Sequence, residues 1–136
     1  EESDAFKLFL LDCGLLGAMN MTDATEAMLT DNIFEEYNGA LTEQLVLQEL
    51  KCVPNLPVYY YTKQNSQQEI DFLIDIKNRA IPIEAKAGEN LQAKSLKQFI
   101  LENKSEKAIK TSLKQYKSNE IIDNVPIYAL YCYLQE

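Results

Sequence analysis

Three short runs of β-forming residues follow one another in the middle of the chain: VYYYT at 58–62, EIDFLIDI at 69–76 and AIPIEAKA at 80–87. Only a polar KQNSQQ stretch and a KNR tripeptide separate them, which predicts a β-meander. Side chains on a strand alternate at period two. That frame sets Ile70, Phe72, Ile74 and Ile76 of the second run on one face, with Asp71, Leu73 and Asp75 on the other. In the third run Ile81, Ile83, Ala85 and Ala87 oppose Pro82, Glu84 and Lys86.

Helical and further strand signals surround the meander. FKLFLL at 6–11 reads as a buried strand, LLGAMNM as a short helix after the break at Asp12 and Gly14, and TDATEAML at 22–29 as a second short helix. A turn is expected at Asn38 and Gly39. Leu41, Leu45, Leu47 and Leu50, with Val46 alongside, then recur at near-helical spacing on an amphipathic helix that carries Glu43 and Glu49 and ends at Pro54 and Pro57. After the meander, Ser95 and Gln98 form a capping-box signature for a helix burying Leu96, Phe99 and Ile100. AIKTSL at 108–113 reads as a fourth strand. Ile127, Leu130, Tyr131 and Leu134 fall at i, i+3, i+4 and i+7, predicting a terminal helix capped by Asn124 with Pro126 in its first turn.

A chain of 136 residues, 46% of them apolar and 25% charged, supports one packed domain and excludes disordered or collagen-like sequence. Within it we expect an N-terminal extension over 1–40, a core over 41–113 and the terminal helix over 114–136. No apolar run nears the roughly 20 residues of a bilayer span, and the N-terminus lacks signal-peptide features, so a soluble cytoplasmic protein is expected. The first residue is Glu rather than Met, as in a piece of a longer protein. Cys13, Cys52 and Cys132 are too scattered for a disulfide framework or a metal knuckle and read as buried free thiols. With no His in the chain, His-based triads, HExxH metalloproteases and zinc deaminases are excluded.

The formal charge of −8 is unevenly spread. Residues 1–50 carry one Lys against eleven acids, whereas Lys86 to Lys117 holds eight Lys against Glu89, Glu102 and Glu106. Such a basic surplus can track a phosphate backbone, though a solvated helical face is the plainer account. Lys94 and Lys97 would lie nearest the meander. Tyr59, Tyr60 and Tyr61 read as sheet packing rather than a base-stacking platform.

The chemistry centres on Asp71, Glu84 and Lys86. An acid on one strand, followed across a hairpin by acid-x-Lys on its neighbour, can aim two carboxylates and an ammonium into one small volume. Two carboxylates suit a hard cation such as Mg²⁺, which retains water and accepts phosphate oxygens, while the Lys stabilises developing charge. Acid-x-Lys occurs four times here, at Glu49/Lys51, Asp75/Lys77, Glu84/Lys86 and Glu102/Lys104. Only the Glu84 copy sits inside an otherwise apolar strand, where unpaired charges are costly to bury. Glu69, beside the strand acid, reads equally as a supporting carboxylate or a solvated strand end.

The ordered set GALTEQLVLQEL, EIDFLI, IPIEAKAG and SLKQF resembles the PD-(D/E)xK nuclease superfamily. With FKLFLLDCGLL at the start and VPIYALYCYL at the end, the chain is also similar to the domain of unknown function that follows the ATPase module in bacterial and archaeal AAA-type ATP-binding proteins. The resemblance implies an α/β restriction-endonuclease-like fold, a central mixed sheet flanked by helices. It further implies Mg²⁺ or Mn²⁺ held by Glu43, Asp71 and Glu84, catalysis by Asp71, Glu84 and Lys86, and phosphodiester cleavage of DNA or RNA. No GxxxxGK loop is present, so the ATPase would lie upstream in a longer chain. The alternative is the same fold kept as a catalytically silent interaction domain of that ATPase, its charges forming a structural network. The acidic net charge favours that alternative, since non-specific nucleic-acid affinity is mostly electrostatic.

Overall fold

A computed structural model describes residues 7–19, 35–63, 68–87 and 93–135. Among them lie six strands: β1 (Val58–Thr62), β2 (Glu69–Ile76), β3 (Arg79–Lys86), β4 (Ala108–Ser112), β5 (Lys117–Ser118) and β6 (Ile122–Pro126). Four α-helices accompany them: α1 (Cys13–Met19), α2 (Glu35–Cys52), α3 (Lys94–Asn103) and α4 (Leu130–Gln135), the last entered through a 3₁₀ turn at Ile127–Ala129. The strands form one sheet in the order β1-β2-β3-β4-β6-β5. The β1-β2-β3 meander is antiparallel as expected, β3 pairs parallel with β4 and β4 with β6, and β5 returns antiparallel to β6. The fold is therefore α/β with a central mixed sheet flanked by helices.

Two cores cover the two faces of the sheet. Val46 and Leu50 of α2 pack with Phe72, Ile74, Ile83, Ile109 and Val125 of four strands, and with Ile127 and Leu130 from the C-terminal turn and helix. On the other face Leu96, Phe99 and Ile100 of α3 cover Ile70 and Ala108, while Tyr61 meets Phe99 edge-on with centroids 5.1 Å apart. Each fully buried side chain of this kind contributes about 1.5–3 kcal/mol. Tyr61, half-buried, packs against this core, whereas Tyr59 is 60% exposed.

The β2–β3 hairpin turns on Lys77 and Asn78, both at positive φ, between the paired Ile76 and Arg79. That is the two-residue connection whose twist matches the strands it joins. Opposite, β1 and β2 slip register between Tyr59 and Tyr61, so that Asp71 and Phe72 both stand against Tyr60. This bulge corrects the strict alternation expected for the second run. Ile70 joins Leu73 on the α3 face, and Phe72 and Ile74 face α2.

Other expectations also change. Residues 7–10 form no strand, because Gln44 of α2 takes both the N–H and the C=O of Leu10, at 2.9 Å each, in place of a ladder. Leu8 is 83% exposed. Asn38 and Gly39 lie inside α2 rather than in a turn, since the helix begins at Glu35. The capping box is absent: Ala93 stands at the N-cap without a side-chain bond, and Gln98 reaches forward to Glu102 at 3.0 Å. Asn124 caps no helix, because β6 pairs with β4 through Pro126 and buries Asn124 against Ser112 and Gln115. The stretch 114–136 thus begins with β5 and β6, and its helix starts at Leu130. The thiols are free but not buried; Cys52 closes α2 and Cys132 lies on α4, both exposed, with Cys13 half-buried. The helix expected over 22–29 lies outside the described residues. No helix of the described residues is long and apolar enough to cross a membrane.

Candidate functional site at the fork of the second and third strands

The β2–β3 ladder runs from Ile76–Arg79 to Phe72–Ile83, and Asp71 is the next residue along. There its Oδ2 accepts the Ala85 backbone N–H at 2.8 Å, so the side chain replaces a ladder partner and is fixed in the fork between the strands. The bulge makes this possible by changing the direction of the strand at Asp71. Ala85 is the residue between Glu84 and Lys86. A single hydrogen bond therefore ties the strand acid to the acid-x-Lys pair.

Two charge clusters flank this bond. In the first, the Lys7 ammonium lies 2.8 Å from Glu69, 3.3 Å from Glu43 and 3.7 Å from Asp71, joining three acids from α2 and β2. Burial works against the charged ammonium, but the hydrogen bond to Glu69 and the charges of Glu43 and Asp71 outweigh it and raise its proton affinity. In the second, Lys86 Nζ meets Glu84 Oε1 at 2.6 Å. Glu84 Oε2 is buried with no hydrogen-bond partner among the described residues. Alternation along β3 turns Ile83 and Ala85 toward the α2 core and Glu84 and Lys86 the other way.

All three predicted acids are held above the usual carboxylate range. For Glu84 burial is the main cause, opposed by the hydrogen bond from Lys86 and reinforced by Asp71. For Asp71 burial outweighs the Ala85 N–H, Lys7 and Lys86. For Glu43 burial leads, followed by repulsion from Asp71. Like-charge carboxylates with raised proton affinity in a partly buried group are characteristic of functional sites.

The structure thus brings Asp71 and Glu43 together through Lys7 and sets Glu84 with Lys86 one hydrogen bond away. It does not draw the acids into a finished cage: among the described residues no three acidic or cysteine side chains converge at metal-binding distance. Sequence reasoning missed Lys7, although it is the one cation among the first fifty residues. Glu69, which the sequence reads equally as a supporting carboxylate or a solvated strand end, is the nearest partner of that cation.

Beside Glu84 runs a strip of lysines. Lys110 of β4 stands in register with Glu84, and its charge is disfavoured by burial and by repulsion from Lys97, Lys117 and Lys86. Lys97, Lys110 and Lys117 form no salt bridge among the described residues. The sequence surplus of lysines between 86 and 117 is therefore concentrated by the strand order, because β3, β4 and β5 and the exposed side of α3 contribute one each.

No curated protein and no solved structure matches the chain. A family model described as a domain of unknown function, DUF4143, matches residues 38–130, a span that takes in most of α2, the meander, α3 and the remaining strands. The chain accordingly belongs to the DUF4143 family.

Proposed function

We propose that this domain is a PD-(D/E)xK-type phosphodiesterase acting on nucleic acid, as the C-terminal module of a longer AAA-type ATP-binding protein. The observation that carries the reading is Glu84, a carboxylate 9% exposed whose Oε2 has no hydrogen-bond partner among the described residues while its Oε1 holds Lys86. A buried oxygen without a partner costs about 1–3 kcal/mol, more when charged, and is retained where a ligand satisfies it. An all-oxygen donor set of Asp71, Glu84 and Glu43 suits Mg²⁺ or Mn²⁺, and the lack of a finished cage suits an ion that keeps several of its own waters. A bound divalent ion would supply Lewis-acid polarisation of a phosphate oxygen and a more acidic water. Lys86, held by Glu84, is aimed to offset charge that develops on phosphate oxygens. The Ala85 N–H fixes the direction of Asp71. Lys97, Lys110 and Lys117 present cations that a sugar–phosphate backbone would pair.

The test is cleavage of labelled single- and double-stranded DNA and RNA with Mg²⁺ or Mn²⁺. Wild type should cleave one of these, Lys86→Ala should lower the rate at least about a hundredfold as loss of one charge-stabilising group does, and Asp71→Asn should do the same. Activity that survives both substitutions would defeat the assignment. A second reading has its own support: Lys7 and Lys86 already pair with the acids, as in a structural ion-pair network of an interaction domain. That reading gains if the domain cleaves nothing and binds no metal.

A further inference from the structure

We propose that Lys7 is a built-in counter-cation which blocks the acidic site, and that a divalent ion enters only when the segment carrying Lys7 withdraws. This rests on the metal-site reading above and names its regulation. One ammonium lies within 3.7 Å of Glu43, Glu69 and Asp71, two of which are the proposed ligands. An ammonium and a hard divalent ion compete for the same carboxylate oxygens, and both cannot occupy contact distance without strong repulsion.

The surroundings of Lys7 are those of a detachable strap. Residues 7–10 belong to no strand. Two glutamines one turn apart on α2 hold the segment by its backbone: Gln44 takes Leu10 in both directions, and Gln48 accepts the Cys13 N–H at 2.9 Å. Its one aromatic anchor is Phe9, tilted over Phe72 with centroids 5.8 Å apart. Leu8 and Leu11 point outward, 83% and 85% exposed. Specific hydrogen bonds therefore fix where Lys7 sits, while little apolar burial resists its release, the combination that marks locally opening segments. Glu84, whose Oε2 has no hydrogen-bond partner among the described residues, forms no ion pair with Lys7 and remains available to the ion once Asp71 is freed.

Mn²⁺ titrated calorimetrically into wild type, Lys7→Met and Lys7→Met/Asp71→Asn tests the idea, with Lys51→Met as a control for overall charge. A second measurement uses the unaltered protein: the rate at which an amine-acylating reagent modifies Lys7, followed by mass spectrometry with and without Mn²⁺. The expected result is at least about tenfold tighter Mn²⁺ binding in Lys7→Met, equivalent to about 1.4 kcal/mol. Lys51→Met should stay unchanged, the double variant should lose the gain, and Mn²⁺ should accelerate acylation of Lys7 in wild type. Equal Mn²⁺ affinity in wild type and Lys7→Met, with acylation insensitive to Mn²⁺, would overturn the blocking role and leave the metal site standing. Absence of Mn²⁺ binding in every variant would overturn the metal site and the block together. If Lys7→Met does not fold, the acylation result on wild type decides.

Discussion

At the scale of single residues the molecule holds two kinds of buried carboxylate. Asp123, 3% exposed in its side chain, receives Lys107 at 2.7 Å and the hydroxyls of Ser118 and Tyr133 at 2.5 Å each. Burial alone would raise its proton affinity, but those three donors together lower it below the ordinary aspartate value. A carboxylate depressed in the folded state stabilises the protein above its unfolded value near pH 4, and that contribution disappears as pH falls through the lower folded value. Asp123→Asn should therefore cost about 1–3 kcal/mol at pH 7, and urea unfolding should show the gap narrowing progressively as the pH falls below about 4. Parallel profiles across that range would contradict the account. Glu84 behaves in the opposite sense. Its proton affinity is raised, so its charge opposes folding at neutral pH, and the sequence hinted at this because a charged pair in an apolar strand asks for a reason. Asp123 gave no such hint, since its partners come from 5, 10 and 16 residues away and meet only when β5, β6 and α4 are in place.

Among the elements, α2 does the most to position the site. One face supplies Val46 and Leu50 to the core, and adjoining positions supply Glu43 to the acids and Gln44 and Gln48 to the N-terminal strap. Gln44→Leu should leave the Leu10 N–H and C=O unsatisfied and destabilise by about 1–3 kcal/mol. In hydrogen exchange, the Leu10 amide should lose protection much more than the amides of β2 and β3 do. Uniform loss across all three would show that residues 7–10 are part of the global unit rather than a separate strap. The helix α2 was legible from its leucine spacing, although Leu45 is exposed and its core is formed by Val46 and Leu50, and the three meander strands were legible from their β-branched runs. The strand expected at 6–11 fails over residues 7–10 for a physical reason: a mostly apolar stretch is equally suited to a ladder and to a side-chain clamp, and a glutamine 34 residues away decided between them.

Across the whole molecule the charge is segregated. Lysines from β3, α3, β4 and β5 repel one another around Lys110, while the acids gather about Lys7. Nucleic-acid binding should therefore weaken as salt rises despite the net charge of −8, and replacing both Lys97 and Lys110 by Gln should reduce the slope of log K against log salt by about 2. An unchanged slope in fluorescence-anisotropy titrations would move the contact surface elsewhere. By itself the sequence determined the meander, the helix that bears Glu43, the helix between the third and fourth strands, and the placement of Glu84 and Lys86 on one face of a strand. All of these follow from period-2 and period-3.6 patterns acting within a few residues. Only the tertiary structure decided the bulge that aims Asp71, the strand at Ile122–Pro126, and the seating of Lys7 among the acids. Each depends on a partner far along the chain, and local propensity carries no information about which distant group will meet a strand edge or a buried charge.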